Sequence, residues 1–94
     1  MYRAEIIANQ SVQDDIIELL EESIPELRYT LIPLAHGKGD SDYKLGNGTW
    51  PETNFVFVSY IADSEKDIVR AVVSAIKKRF SNEGITLFFV KAEE

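Results

Sequence analysis

The chain contains no cysteine, and it has only one histidine, one tryptophan and one methionine among its 94 residues. The absence of cysteine excludes disulfide bonds and thiolate metal sites, and it suits a reducing compartment. No apolar run approaches the roughly 20 residues that span a bilayer. The first residues also lack the basic and apolar segments of a signal peptide. We therefore expect a soluble, cytoplasmic protein.

Positive charge is also scarce. Ten Lys and Arg stand against sixteen Asp and Glu, which gives a net charge of -6. Binding to nucleic acid or to an anionic membrane surface depends on an excess of Lys and Arg. We therefore expect neither as a partner. A chain of this length makes one domain, residues 1–94, with a modest core of its own.

Hydrophobic periodicity predicts six main elements in the order βαββαβ. The predicted strands cover residues 2–8, 27–33, 54–61 and 85–92. Ser11 is expected to cap the first helix and Pro25 to stop it, because the residue before a proline avoids helical geometry. Asp63 or Ser64 is expected to cap the second helix. The predicted buried positions are Val12, Ile16, Leu19, Leu20 and Ile24 in the first helix, and Ile68, Val69, Val72, Val73, Ile76 and Phe80 in the second.

This element order predicts an α+β, ferredoxin-like fold. Right-handed crossovers place both helices on one face of a four-stranded antiparallel sheet, with the first and third strands in the middle. A sheet face that meets water should be polar at every second residue. The third strand is instead apolar on both faces, since Phe55 and Phe57 alternate with Val56, Val58 and Tyr60. We expect the open face to pack against other copies of the chain. The alternative is that a loop of the same chain covers it.

The segment from Leu34 to Thr53 is predicted to be neither helix nor strand. It holds four of the five glycines and the only His and Trp. Compact domains rarely carry structureless loops of this length unless the loops bind or regulate. Gly37 and Gly39 could offer backbone N–H groups and Lys38 a charge to a small anionic effector. His36 and Trp50 are expected to line that pocket, although Trp50 could instead anchor the loop base to the sheet.

Other chemistries have less support in the sequence. Nothing in the sequence points to enzyme catalysis, because no nucleophile, base and orienting group occur at a suitable spacing. We expect no cofactor. A divalent metal held by His36, Asp40 and Asp42 is one alternative. RNA binding is another, since Phe55, Phe57, Val58 and Tyr60 match aromatic positions of the RNA-recognition motif, although the motif's basic and glycine positions are not matched.

The chain resembles the PII-like signalling superfamily, which includes the nitrogen regulatory PII proteins and the CutA proteins. Residues 35–39, Ala-His-Gly-Lys-Gly, are similar to the start of the family's T-loop. Tyr43-Lys44 is similar to that loop's Tyr-Arg, and residues 62–69 are similar to the junction of the family's third strand and second helix. The resemblance implies a trimer with inward-facing sheets, small-molecule effectors in clefts between subunits, and a loop that reports to a target protein. It also implies that Tyr43 is open to modification.

The chain departs from the PII pattern at the family's phosphate loop. PII proteins carry Gly-Asp-Gly-Lys between the second helix and the fourth strand, where this chain has residues 80–85, Phe-Ser-Asn-Glu-Gly-Ile. The basic cluster of the final strand is reduced to Lys91. The resemblance therefore does not extend to the family's standard ATP site. The CutA branch would give His36 a metal role, but the cysteine of those proteins is absent here.

Overall fold

The computed structural model describes all residues, 1–94. Its strands are β1 Tyr2–Asn9, β2 Thr30–Ala35, β3 Gly37–Lys38, β4 Tyr43–Lys44, β5 Asn54–Ile61 and β6 Ile85–Lys91. Its helices are α1 Gln13–Ser23 and α2 Lys66–Arg79, and each follows a single 3₁₀ turn. β2, β5, β1 and β6 form one sheet in that order, and neighbouring strands are antiparallel. The predicted ferredoxin-like α+β fold is confirmed.

The core lies between the helices and one face of the sheet. Alternate residues of β1 and β5 point into it, among them Ile6, Phe55 and Phe57, which are fully buried. Each such apolar side chain contributes about 1.5–3 kcal/mol by leaving water. Ser59 is the polar residue of this row, and its hydroxyl donates to the Arg28 carbonyl oxygen at 2.5 Å. The buried hydroxyl is therefore satisfied, and the segment before β2 is tied to β5.

Both helices bury the faces that the periodicity predicts, although Leu19 and Phe80 are only partly buried and Ile68 is an error. α1 turns Ile16 and Leu20 into the core, and α2 turns Val69, Val72, Val73 and Ile76 into it. Ile68 was predicted to be buried and is 40% exposed. It sits about 100° around the helix from Val69, beyond the stripe that faces the sheet.

The start of the first helical segment differs from the prediction. Ser11 does not cap it. Asn9 does, because its side-chain oxygen accepts a hydrogen bond from the Ser11 N–H at 2.9 Å. β1 runs through Asn9, and the chain turns at once into the 3₁₀ segment Gln10–Val12. The cap therefore falls on the last residue of the strand, two positions earlier than predicted.

The second strand begins three residues later than predicted and continues through Pro33. Proline is tolerated here because β2 is an edge strand, where a missing N–H need not break a ladder. The pairing with β5 shifts between Ile32 and Ala35, and Leu34 adopts a left-handed φ of 57°. The irregularity lets the strand pass the proline and resume.

The segment 34–53 was predicted to be structureless, and this is wrong. β3 and β4 form a small antiparallel hairpin in which Gly37 pairs with Lys44 and Lys38 with Tyr43. A second turn follows, where the Asn47 side chain accepts from two backbone N–H groups. Gly46 precedes it at a left-handed φ of 64°.

Both ends of this segment are fastened to one residue of the β1–α1 turn. The Gln10 N–H donates to the Thr53 carbonyl at 2.9 Å. The Gln10 side-chain oxygen accepts from the Leu34 N–H at 3.1 Å. The loop therefore leaves the sheet and returns to it at a fixed position.

Neither helix is long and apolar enough to cross a membrane.

Candidate functional site

A polar cleft of about 380 Å³ lies at the base of the hairpin. One wall is the hairpin with the returning chain, and the other is the turn between α2 and β6. Of its eleven lining residues only Ile7 is apolar. The lining consists of Ile7, Lys38, Gly39, Asp42, Lys44, Glu52, Asn54, Asn82, Glu83, Gly84 and Thr86.

Lys44 joins the two arms of the loop inside this cleft. Its ammonium nitrogen lies 2.8 Å from an Asp42 carboxylate oxygen and 2.5 Å from a Glu52 oxygen. Its side chain is 16% exposed. Hydrogen bonds to Asp42 and then to Glu52 raise the pKa of Lys44 above its ordinary value, against a smaller opposing effect of burial. Lys44 is therefore charged at neutral pH and serves as a clamp across the loop base.

The charges of the cleft do not make a simple anion site. Lys38 is the second cation, and its ammonium nitrogen lies 5.7 Å from the centre of the Tyr43 ring. Asp42, Glu52 and Glu83 supply three carboxylates against these two cations. The predicted backbone donor at Gly39 is also occupied, because its N–H donates to the Asp42 carbonyl at 2.9 Å. A multiply charged anion would meet net repulsion here.

Two of the five predicted site residues line the cleft, namely Lys38 and Gly39. Gly37 lies beside it, where an added Cβ would come within 2.9 Å of the Asn54 side-chain nitrogen. The glycine therefore leaves room for Asn54 at the cleft wall.

The other two predicted residues lie elsewhere in the loop. His36 is exposed on the side facing Gly46. The Trp50 ring packs on Tyr43 with 5.2 Å between ring centres, so its partner belongs to the hairpin. Tyr43, the predicted modification position, is 39% exposed.

Asn54 and Thr86 were not singled out from the sequence. Both line the cleft and lie near the start of a strand, Asn54 in β5 and Thr86 in β6, and these two strands flank β1. The Thr86 hydroxyl donates to the Ile7 carbonyl at 3.1 Å. A search for polar residues near the starts of the two strands that flank β1 would have pointed to them.

The structure does not support metal binding or RNA binding, the two alternatives that the sequence left open. No three His, Asp or Glu side chains gather as metal ligands, so His36, Asp40 and Asp42 do not form a ligand set. The RNA interpretation is wrong at its key positions. Phe55 and Phe57 are fully buried beneath the helices and cannot stack on bases.

The open face of the sheet is apolar and uncovered. Tyr60, Phe88, Val90 and Ile32 are each at least half exposed, with Tyr60 the most at 59%. The alternative in which the loop covers this face is therefore wrong. One ion pair lies in the middle of the face on β1, where Arg3 and Glu5 approach to 2.7 Å.

No protein-family model matches the chain, and no curated protein matches it. Solved structures do. CPII, a nitrogen regulatory PII-like protein from Thiomonas intermedia K12 bound to ADP, AMP and bicarbonate, superposes with a TM-score of 0.66 at 13% identity, covering 99% of this chain and 88% of that one. The chain has the PII-like fold.

Two further structures agree with this. A PII-like signalling protein from Thermus thermophilus gives a TM-score of 0.62 at 10% identity, covering 95% of this chain and 83% of that one. The apo form of CPII gives 0.60 at 12% identity, covering 97% and 89%. At these identities the likeness is one of fold, and it bears out the architecture that the sequence resemblance implied.

Proposed function

We propose that this chain is a non-enzymatic PII-like regulator that binds a small effector in the polar cleft and presents segment 34–53 to a protein partner. The observation that carries the proposal is the position of the cleft. It is built from the base of the loop and from the α2–β6 turn, so a ligand there touches the segment that would signal its presence. The only histidine lies outside the cleft lining, which leaves no general base of that type beside a ligand.

The cleft also borders the surface through which copies of the chain would associate. Ile7 and Thr86 lie in its floor and belong to the same row of the open face. A second copy packed on that face would close the cleft from the side. We therefore propose that the effector binds at a subunit boundary of an oligomer, and that this oligomer is the trimer implied by the resemblance to PII proteins.

The charges of the cleft select among effectors. Lys44 is held by two carboxylates, which leaves Lys38 as the cation without an ion-pair partner. Asn54, Asn82 and Thr86 offer hydrogen bonds without charge. We propose a polar effector of low negative charge. AMP, ADP and bicarbonate are the first probes because CPII binds them, and ATP is expected to bind more weakly than AMP.

A thermal-shift screen of AMP, ADP, ATP, bicarbonate and 2-oxoglutarate tests this proposal. A ligand at ten times its Kd stabilises the folded chain by about 1.4 kcal/mol. For a domain of this size that raises Tm by roughly 6–11 °C. Lys38→Ala should abolish most of the shift, whereas Lys78→Ala, on the exposed surface of α2, should leave it unchanged.

The proposed binding of segment 34–53 to a protein partner is tested by pull-down from the native cell extract with and without the stabilising ligand. The recovered partner should change with ligand and disappear for Lys38→Ala. If no probe shifts Tm and Lys38→Ala recovers the same proteins as the natural chain, the cleft is not an effector site.

A further inference from the structure

β6 forms an outer edge of the sheet and carries none of the usual edge protection. Its seven residues, Ile85–Lys91, contain no proline and no glycine, and Lys91 at the end is the one charged residue among them. Natural proteins generally blunt such edges with prolines, bulges or charges, since a bare edge is a template for pairing with another chain. The opposite edge, β2, has Pro33 and an irregular register.

The outward-facing backbone groups of β6 can be identified from the pairing with β1. The Ala92 N–H donates to the Met1 carbonyl at 3.1 Å, which places even-numbered residues in the hydrogen-bonded pairs with the first strand. In an antiparallel ladder the alternate residues then turn their N–H and C=O away from the partner strand. Leu87 and Phe89 therefore present unpaired donors and acceptors at the edge.

A basic stripe on α2 runs beside this edge. Lys66, Arg70, Ser74 and Lys77 follow at helical spacing on one side of the helix. The Lys66 ammonium lies 5.4 Å from the centre of the Phe89 ring, and the Arg70 guanidinium lies 5.3 Å from it. A groove of about 330 Å³ separates helix and strand, and it is lined by Arg70, Val73, Ser74, Lys77, Leu87 and Phe89.

This concentration of positive charge is unusual in a chain of net charge -6. Among the stripe's cations only Arg70 has an acidic partner, Asp67 at 2.6 Å, and that pair is largely exposed. Exposed pairs of this kind contribute little to stability. The three cations are therefore available to a ligand that approaches the edge.

We propose that the edge of β6 and the basic stripe form a docking site for an extended acidic peptide, which adds to the sheet as a fifth strand. Main-chain hydrogen bonds to Leu87 and Phe89 would hold the peptide, as in other cases of strand addition. Because side chains alternate along a strand, every second residue would face the stripe and the rest would extend the open face beside Phe88 and Val90. The expected partner segment alternates acidic and apolar residues.

Charge complementarity favours such a peptide over a second copy of the chain. Pairing of β6 with β6 would bring two basic stripes of the same sign together. The β2 strand of a second copy, Thr30–Ala35, carries no acidic residue to meet the stripe. This proposal does not depend on the effector cleft, and its test uses neither Lys38 nor a small ligand.

The test uses fluorescent peptides of about eight residues, long enough to cover the strand. Alternating Glu-Val should bind in fluorescence anisotropy, and binding should weaken with added salt. Alternating Lys-Val, and a block peptide with the Glu-Val composition, should not bind. Arg70→Glu combined with Lys77→Glu should weaken binding about ten-fold or more. Lys78→Glu, on the same helix outside the groove, is the matched control, and circular dichroism verifies that each variant is folded.

Peptides methylated on alternate backbone nitrogens test the main-chain pairing without altering the protein. Methylation of every Glu should abolish binding if the added strand is antiparallel to β6, and methylation of every Val should do so if it is parallel. The proposal is overturned if Glu-Val does not bind at about 1 mM, a generous limit for a specific peptide. It is also overturned if the double variant binds equally well, or if neither methylated peptide loses affinity. Concentration-dependent self-association that excludes the peptide would assign the edge to a second copy instead.

Discussion

Replacing Phe88 by Glu should prevent self-association through the open face. Phe88 is 55% exposed, so burial of this exposed part in an interface would contribute about 1 kcal/mol per subunit. The register places position 88 directly opposite Glu5, whose carboxylate already holds Arg3 at 2.7 Å, so the new carboxylate would have no cation of its own. Burial of an unpaired carboxylate adds a penalty of several kcal/mol. Together these terms weaken association by at least about 100-fold.

Light scattering coupled to size exclusion measures this directly. The chain has a mass of 10.7 kDa, so a trimer would appear at three times that value. Phe88→Glu should elute as the monomer at concentrations where the natural chain is assembled. Ile68→Glu is the control, because Ile68 is an exposed apolar residue on the helix side. A natural chain that stays monomeric at tens of micromolar, or a Phe88→Glu variant that still assembles, would refute the reasoning.

Two residues of the loop and the N-terminal ammonium give three further predictions. Gly46→Ala should destabilise the loop by about 1–2 kcal/mol, because φ is positive there, whereas Gly48→Ala, with open space around it, should be neutral; limited proteolysis compares the two. Lys44→Met should speed hydrogen exchange of the Gly46 amide by up to about five-fold. Because the pKa of Lys44 is raised, the protection factor of this amide, which corrects for base-catalysed intrinsic exchange, should be maintained below pH 10.5 and fall as pH rises through the raised value. The N-terminal ammonium lowers the pKa of Asp63 below 3.8, so its contribution to stability is present above that pH and lost on acidification; N-terminal acetylation should remove it from acid-unfolding curves.

The architecture was predictable because the strongest signals in the sequence lie in its regular elements. β5 is rich in β-branched and aromatic residues, and its predicted bounds, residues 54–61, match the structure. The two helices keep a clear apolar stripe. Errors fall at ends, where one local contact decides the boundary. Asn9 outcompetes Ser11 as a cap because the strand ends on it, and β2 tolerates Pro33 because it lies at an edge.

The candidate site was predictable in part. The length and the glycines of segment 34–53 indicated a functional loop, and Lys38 and Gly39 do line the cleft. β3 and β4 are two residues each, too short to leave a periodic signal. The clamp at Lys44 depends on that hairpin, since only the folded loop brings Asp42 and Glu52 to the same ammonium.

The double attachment at Gln10 couples the loop to the beginning of the first helical segment. The Gln10 backbone holds one end of segment 34–53, and the Gln10 side chain holds the other. A displacement of the hairpin would therefore act on the junction of β1 and α1 as well as on the sheet, which the loop joins at the pair Ala35–Asn54.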